Sequence, residues 1–162
     1  MSEILFSFRQ IGVIHSPHKE AEGTPIQPCY ASGAEGTVEL FQEYAEALDD
    51  IEGFERIWLL YVFNRSDGWQ PKVIPFRDTN PHGIFATRAP RRPNPLGISC
   101  VRLLKADGLK LHVREIDILD GAPLLDIKPY APQYDSYPQA RAGWLDSAAS
   151  PLEFADRRFE KR

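Results

Sequence analysis

Apolar and polar residues alternate with a period of two along several short stretches, which is typical of β-strands with one buried face. The clearest pair is residues 98–104 and 109–115, which predict a hairpin that turns at Ala106-Asp107-Gly108. In the second arm, Leu109, Leu111 and Val113 are apolar, and Lys110, His112 and Arg114 between them are polar or basic. Side chains of a strand alternate between its two faces, so this arm has one core face and one solvent face.

Similar patterns predict strands at residues 10–14, 35–40, 57–63, 84–87 and 124–127. The run 57–63 is apolar throughout, which predicts a strand buried on both faces. Residues 115–119 either continue the hairpin or begin another strand. Residues 18–33 and 64–83 are rich in proline or glycine and polar residues, and predict loops.

Helical periodicity is confined to two short segments. Phe41, Tyr44 and Leu48 would share one face of an amphipathic helix over residues 41–48. Near the end of the chain, Ser150 as N-cap and Pro151 at the first helical position predict a second short helix, with Glu153 completing the capping box. Leu152, Ala155 and Phe159 would then share one of its faces.

Composition supports the same fold class. The chain has 162 residues, enough for one domain, and 14 of them are prolines, which helix interiors tolerate poorly. We therefore predict a mainly β protein: a small antiparallel barrel with short peripheral helices. The barrel domain is expected at residues 1–140, and residues 141–162 as a C-terminal extension with a short helix rather than a separate domain.

Several functional classes are disfavoured. The longest apolar run, residues 57–63, is far shorter than the roughly 20 residues that span a bilayer, so we expect no membrane segment. Residues 1–6 lack the apolar core of a signal peptide, and Cys29 and Cys100 are expected to be reduced thiols in a cytoplasmic protein. Two such distant cysteines do not make a zinc site, and no metal is expected. No Gly-x-Gly occurs, so the Rossmann nucleotide loop is absent.

Charge is segregated along the chain although its net value is only −4. Residues 34–56 contain eight acids and one base, whereas residues 81–105 contain five bases and no acid. Within the basic stretch, prolines alternate with Arg88, Arg91 and Arg92. Prolines stiffen the backbone, and a stiff cationic loop suits an anionic ligand. A structural crossover whose arginines face water is the alternative.

A second candidate segment is the turn that contains Asp120 and Gly121. The Asp120 carboxylate could accept hydrogen bonds from a bound amine or ribose. It could equally serve only its own backbone in an Asx-type turn, and the turn alone favours that second interpretation.

Three motifs, in this order along the chain, resemble the TsaA-like family, whose characterised members are the TrmO tRNA methyltransferases. They are Ile11-Gly12-Val13-Ile14-His15-Ser16-Pro17, then Thr87-Arg88-Ala89-Pro90-Arg91-Arg92-Pro93-Asn94-Pro95-Leu96-Gly97, then Asp120-Gly121-Ala122-Pro123 through Asp126-Ile127-Lys128-Pro129-Tyr130. The resemblance extends from about residue 8 to residue 137. Where the family's first loop commonly reads Pro-Arg-Gln, this chain has Pro25-Ile26-Gln27.

The resemblance implies a barrel that binds S-adenosyl-L-methionine outside the Rossmann architecture, and a homodimer. It implies a tRNA substrate, with methylation at N6 of threonylcarbamoyl-adenosine beside the anticodon of a threonine tRNA. By motif position, the residues that would contact the methyl donor are Pro25, Ile26, Gln27, Asn64, Arg65, Arg88, Ile98, Asp117, Ile118, Leu119 and Asp120. Arg91 and Arg92 would contact tRNA phosphates.

The residues leave the mechanism open. No side chain is an evident general base; His15 and Asp120 are the candidates, and catalysis by proximity alone is the alternative. Two other functions also remain: a noncatalytic module that binds the methyl donor or RNA, and an enzyme that methylates a different acceptor.

Overall fold

The computed structural model describes residues 4–148 and 152–160, and within these ranges the chain forms a closed antiparallel barrel with short helices around it. Its strands are β1 Gly12–His15, β2 Glu35–Leu40, β3 Arg56–Val62, β4 Lys72–Val73, β5 His82–Gly83, β6 Leu96–Asp107, β7 Lys110–Arg114 and β8 Ala122–Pro129. The barrel order is β1-β2-β7-β6-β3-β8, and β4 pairs with β5 in a separate two-stranded sheet. This architecture confirms the predicted fold class.

The helices are short. One α-helical turn, α1, spans Pro132–Asp135, and the 3-10 helices are Pro28–Tyr30, Gln42–Leu48, Ile51–Gly53, Ile84–Ala86, Gly143–Ser147 and Arg157–Phe159. None of the helices in the described ranges is long and apolar enough to cross a membrane.

The barrel interior is filled by the apolar positions of the alternating strands. Fully buried side chains come from all six barrel strands and from the loop after β7, and include Ile14, Val38, Ile57, Leu59, Val101, Leu111, Val113, Ile116 and Leu124. The predicted hairpin is confirmed as β6 and β7, with Leu111 and Val113 inside. Its turn lies at Gly108 and Leu109 rather than at residues 106–108, because Ala106 and Asp107 still pair with β7. Burying such side chains contributes about 1.5–3 kcal/mol each, so this interior is the main source of stability.

Strand β3 corrects one prediction. Ile57, Leu59 and Tyr61 are buried, but the side chains between them are only half-buried, so the strand has a single core face. The outer face is covered only in part, for example where the Trp58 ring lies 6.0 Å from the Tyr130 ring. The continuous apolar run therefore did not mean burial on both faces.

The predicted helix over residues 41–48 is a 3-10 helix that begins after Phe41. Tyr44 and Leu48 pack against the core as predicted, but Phe41 has an extended backbone and an exposed side chain. Its backbone N–H instead donates to the Ile11 carbonyl, which extends the β1–β2 pairing by one residue.

The predicted strand at residues 84–87 is the 3-10 helix Ile84–Ala86. The hydroxyl of Thr87 and the guanidinium of Arg92 donate to the Ile84 carbonyl, so no neighbouring strand is needed to satisfy it. The predicted loop before it, residues 64–83, contains β4 and β5, whose two-residue length left no periodic signal.

After β7 the chain does not continue as a strand. Glu115 takes a left-handed backbone conformation with φ of 65°, and its N–H and that of Ile116 both donate to the Ala34 carbonyl, so the regular strand ends here. Ile116 and Ile118 still point into the core from this loop. The two alternatives raised for residues 115–119 are therefore both wrong.

The end of the chain differs from the predicted helix. Ser150 and Pro151 lie outside the described residues. From Leu152 to Asp156 the backbone is not helical, and Phe154 bridges Pro25 in an antiparallel pair. Leu152, Ala155 and Phe159 therefore do not share a helical face. The domain boundary at residue 140 stays a prediction.

Candidate functional site

Asp120 anchors one end of the barrel, where the loop after β1 meets the turn before β8. Its Oδ1 accepts a hydrogen bond from the Ser16 backbone N–H at 3.0 Å, and its Oδ2 pairs with Lys19 Nζ at 2.6 Å. Its own N–H donates to the His18 carbonyl at 2.8 Å. The Lys19 ammonium and the Ser16 N–H lower the pKa of the Asp120 carboxyl. Asp120 is thus a fixed carboxylate that holds two loops together, which goes beyond a local Asx turn.

The loop after β3 joins the same place through Arg65. One guanidinium nitrogen donates to the Lys19 carbonyl at 2.5 Å, and the other donates to the Asp120 carbonyl at 2.8 Å. A single planar fork can satisfy two acceptors in this way, which a lysine could not do with the same geometry. Three loops from distant parts of the chain therefore converge here.

Asp117 lies deeper in the same region and has an unusual environment. Its Oδ1 is buried and has no hydrogen-bond partner within the described residues. Burial raises the pKa of the Asp117 carboxyl to about 7, against the lowering effects of the Ser99 hydroxyl and the Arg88 charge. A buried polar atom without a partner is rare in folded proteins and frequently belongs to a functional site.

Below Asp117, the barrel contributes a buried polar pair. The Tyr61 hydroxyl lies 3.3 Å from Ser99 Oγ, and burial raises the pKa of Tyr61. The Tyr61 ring covers Gly97 so closely that a Cβ at this glycine would overlap the carbons of the ring. Gly97 is therefore required by the close approach of the Tyr61 ring.

Arg88 is hydrogen-bonded to the loop after β1 and lies near Asp117. Its guanidinium donates to Gln27 Oε1 at 2.6 Å, and it is close enough to Asp117 to lower the pKa of that carboxyl. Both Arg88 and Gln27 reach solvent at this point. An exposed guanidinium beside an unpaired carboxylate oxygen can bind a ligand that carries both an anionic and a hydrogen-donating group.

The Arg/Pro loop, residues 86–97, is held from beneath by its own arginines. Arg92 donates to the carbonyls of Thr87, Ile84 and Ala89 at 2.8, 3.2 and 3.4 Å. Arg91 donates to the Glu160 carbonyl. Both side chains therefore have structural contacts, and their predicted contact with RNA stays a prediction.

The predicted donor-binding residues fall into three groups. Five of them form two contact sets: Gln27 and Arg88 share a hydrogen bond and Arg88 affects the pKa of Asp117, whereas Arg65 donates to the Asp120 carbonyl. Ile118 is buried below the turn, Leu119 is half-buried, Asn64 is exposed, and Ile98 is 46% exposed on the outer face of β6. Pro25 and Ile26 pair with residues 153 and 154 through their backbone. The role of each in binding stays a prediction.

His15, the other candidate base, lies at the edge of the site. Its side chain is 48% exposed, with Nε2 at 3.4 Å from Glu39 Oε2 and Nδ1 at 3.9 Å from Asp120 Oδ1. Within residues 4–148 and 152–160, no group of three or more His, Cys, Asp or Glu side chains is placed to hold a metal ion.

Sequence reasoning missed Lys19, Ser99 and Tyr61 as parts of this site. Ser99 had a signal, because it occupies an inward position of a strand whose other inward positions are apolar or glycine. Lys19 had none, because its partner Asp120 lies in a distant part of the chain.

Comparison with known proteins assigns the chain to a family. The profile described as the tRNA-methyltransferase O N-terminal domain matches residues 13–136. This chain belongs to that family. The family predicted from the three motifs is thereby confirmed.

Some relatives of this chain are named as S-adenosyl-L-methionine-binding proteins and others as tRNA methyltransferases. A probable S-adenosyl-L-methionine-binding protein of Pyrococcus abyssi is 50% identical over 158 residues, which covers 96% of this chain and 86% of the relative. A tRNA (adenine(37)-N6)-methyltransferase of Escherichia coli is 41% identical over 153 residues, covering 88% of this chain and 65% of the relative. A crystal structure of TrmO from Pseudomonas aeruginosa matches with a TM-score of 0.73 and 39% identity, covering 86% of this chain and 62% of that chain.

The chain thus spans less than two thirds of the Escherichia coli enzyme and of the Pseudomonas aeruginosa TrmO, but most of the Pyrococcus abyssi protein. The similarity to the TrmO structure supports the barrel architecture described above.

Proposed function

We propose that this protein is an S-adenosyl-L-methionine-dependent methyltransferase that modifies N6 of an adenine in tRNA. The observation that carries the proposal is the group formed by Asp117, Arg88 and Gln27, with an unpaired buried carboxylate oxygen beside an exposed guanidinium. The names of its relatives support both the methyl donor and the tRNA substrate.

The residues present fit the chemistry of the donor. S-adenosyl-L-methionine carries a carboxylate, an ammonium, ribose hydroxyls and a sulfonium cation. Arg88 is suited to the carboxylate, since a guanidinium can bind it through two parallel hydrogen bonds. The free Oδ1 of Asp117 is suited to a hydroxyl or ammonium proton, and such a partner would remove its unsatisfied state.

When bound, the donor supplies an electrophilic methyl group. The chain's own contribution is positioning: Asp120, Lys19 and Arg65 fix three loops around the site before any ligand arrives. Good alignment of reactants can contribute about 7–11 kcal/mol of barrier lowering.

The accepting N6 nitrogen loses a proton when it gains the methyl group. His15 and Asp120 are the two candidate bases for this proton. Asp120 is the poorer base, because the pKa of its carboxyl is lowered by Lys19 and its oxygens are already engaged. The His15 imidazole is half exposed at the edge of the site. We therefore assign the proton to His15 or to solvent water.

The substrate proposed in detail is threonylcarbamoyl-adenosine beside the anticodon of a threonine tRNA. We also propose that the protein acts in the cytoplasm as a homodimer. Exposed apolar side chains at Ile4, Leu5, Phe6 and Phe8 support an association that covers them. Sedimentation velocity at micromolar concentration should give the mass of two chains, and a single-chain mass would contradict the dimer.

The activity is tested by incubating the protein with methyl-labelled donor and total tRNA, then digesting the tRNA to nucleosides. We expect the label in an N6-methylated adenosine that carries the threonylcarbamoyl group. Arg88→Ala should abolish most of the signal, whereas Arg102→Ala should not, because Arg102 pairs with Glu55 on the outer barrel surface.

The same experiment discriminates the other two functions. Donor binding without any labelled nucleoside would indicate a noncatalytic binding module. Label in a different nucleoside would retain the methyltransferase and change the acceptor.

The tRNA contact of Arg91 and Arg92 is tested separately by salt dependence. Each phosphate that the protein no longer neutralises should reduce the slope of log affinity against log salt by about 0.7–0.9. Replacing both residues by alanine should therefore lower the slope for tRNA by more than one, and an unchanged slope would remove them from the RNA site.

A further inference from the structure

Residues 152–160, called here the strap, pair with the loop after β1. Ile26 N–H donates to the Glu153 carbonyl at 2.9 Å, and Gly23 N–H donates to the Ala155 carbonyl at 2.8 Å. In the opposite direction, Ala155 N–H donates to the Thr24 carbonyl at 2.7 Å. The strap is therefore hydrogen-bonded to the loop that carries Gln27.

The other end of the strap is anchored by Arg158. Its guanidinium pairs with Asp156 at 2.6 Å and donates to the Pro75 and Ile74 carbonyls at 2.9 and 3.3 Å. It also lies over the Phe76 ring, 5.0 Å from the ring centroid. A charged group with this many partners has little freedom, so this end of the strap is fixed against residues 74–76.

Phe159 extends the same anchor to the Arg/Pro loop. Its ring meets Phe76 edge-on at 5.2 Å and packs against a small apolar cluster of Val73, Ile84 and Ala89. The next residue of the strap, Glu160, accepts a hydrogen bond from Arg91 through its carbonyl. The strap therefore also contacts the loop that carries Arg88.

These contacts place the strap next to both members of the Arg88–Gln27 pair. Ile26, which the strap binds, precedes Gln27. Ala89, a member of the cluster against which Phe159 packs, follows Arg88. The Arg88–Gln27 hydrogen bond is exposed to solvent, and exposed polar pairs contribute little net stability on their own. The strap touches both loops and can therefore support their spacing.

We propose that the strap is a positioning element for the methyl-donor site, with Arg158 and Phe159 as its positioning residues. This inference rests on the proposed function. Neither residue touches Arg88 or Gln27 directly. They hold the two loops at the separation at which Arg88, Gln27 and Asp117 can bind one ligand. Without them, the donor must order the loops itself, and its affinity falls.

The test compares two neighbouring arginines in the full chain. Arg158→Ala removes the anchor, whereas Arg157→Ala removes only an exposed ion pair with Glu22. Titration calorimetry with S-adenosyl-L-methionine should show an approximately tenfold weaker affinity for Arg158→Ala and less than a twofold change for Arg157→Ala. Phe159→Ala should resemble Arg158→Ala, and Phe159→Leu should restore most of the affinity because it keeps the apolar contact.

Two further measurements separate positioning from general destabilisation. Amide exchange should become faster at residues 23–26 in Arg158→Ala while β3 and β6 stay protected. In methylation assays, KM for the donor should rise with kcat changed less than twofold. Exchange that accelerates throughout the barrel would instead show global destabilisation and contradict the proposal.

The outcomes are distinguishable from failure of the proposed function. If the unmodified chain does not bind the donor at millimolar concentration, the proposed function fails. If it binds and Arg158→Ala and Phe159→Ala bind equally well, the function stands and the strap proposal is overturned.

Discussion

The barrel and the loops that carry the candidate site are ordered by different interactions. These loops, called here the loop assembly, are residues 16–34, 63–71, 86–97 and 115–121. In the barrel, neighbouring strands satisfy each other's backbone groups and the inward side chains are apolar. In the loop assembly, arginine and aspartate side chains satisfy backbone groups that have no strand partner, as Arg92 and Arg65 do. The first kind of order leaves a repeating alternation of apolar and polar residues in each strand, whereas the second depends on single side chains from distant positions. A change in the barrel should therefore affect global stability, and a change in the loops should affect local order and binding.

The largest expected effect is in the barrel interior. Leu59→Ala removes a fully buried side chain and should lower the free energy of unfolding by about 2–5 kcal/mol. Leu104→Ala, on the exposed face of β6, is the control and should change it by less than about 0.5 kcal/mol. Urea unfolding measures both. Equal effects would contradict the assignment of the core face.

The close approach of Gly97 and Tyr61 links the barrel to the Arg/Pro loop. Gly97→Ala places a Cβ where the Tyr61 ring lies and should cost roughly 1–3 kcal/mol through forced displacement. Gly83→Ala adds the same methyl group where no atom lies within 4 Å, and should be nearly neutral. Thermal unfolding of the two variants makes the comparison, and a neutral Gly97→Ala would show that the ring is not fixed there.

Asp117 should make stability depend on pH. The folded carboxyl has a pKa of about 7, above its ordinary 3.8, so the folded state binds this proton more tightly than the unfolded state. The contribution of Asp117 to the free energy of unfolding is fully present below pH 3.8. It falls as the pH rises from 3.8 to about 7, and it levels off above about pH 7.

Asp117→Asn removes that titration. The fall in unfolding free energy of the unmodified chain between pH 5 and pH 8 should exceed that of the variant by about 2–3 kcal/mol. Urea unfolding across this range measures the difference. Parallel pH profiles would show that Asp117 is not buried as described.

The smallest expected change in stability is in the loops. Arg92→Lys keeps the charge but cannot reach all three carbonyls, and should lower stability by about 1 kcal/mol. The clearer effect should be faster amide exchange at residues 84–92. Arg114→Lys, which alters an exposed pair with Glu35, is the control and should leave that exchange unchanged. Equal exchange in the two variants would contradict the role of Arg92.

The difference between the barrel and the loop assembly also explains what could be predicted from the sequence. Strand β2 and the β6–β7 hairpin were predicted closely, because inward and outward side chains alternate there. The 3-10 helix at residues 84–86 was mistaken for a strand, because its apolar residues resemble a short strand and its stabilising partner Arg92 lies on a later loop.

The candidate site was predicted to a similar degree. Gln27, Arg65, Arg88, Asp117 and Asp120 were named from motifs, and the structure relates Arg88 to Gln27 and Asp117, and Arg65 to Asp120. Lys19 and the strap were not found, because ion pairs and backbone pairing between distant segments leave no periodic signal in the sequence. The predicted helix from Ser150 failed in its described part because pairing with residues 23–26 takes the place of helical hydrogen bonds.

The central claim is that the loop assembly, and not another surface of the barrel, holds the methyl donor. Amide exchange of the unmodified chain with and without millimolar S-adenosyl-L-methionine tests it directly. We predict slower exchange at residues 23–27, 86–89 and 117–120, with the turn between β6 and β7 unchanged. Unchanged exchange at all three segments, or protection confined to that distant turn, would contradict the claim.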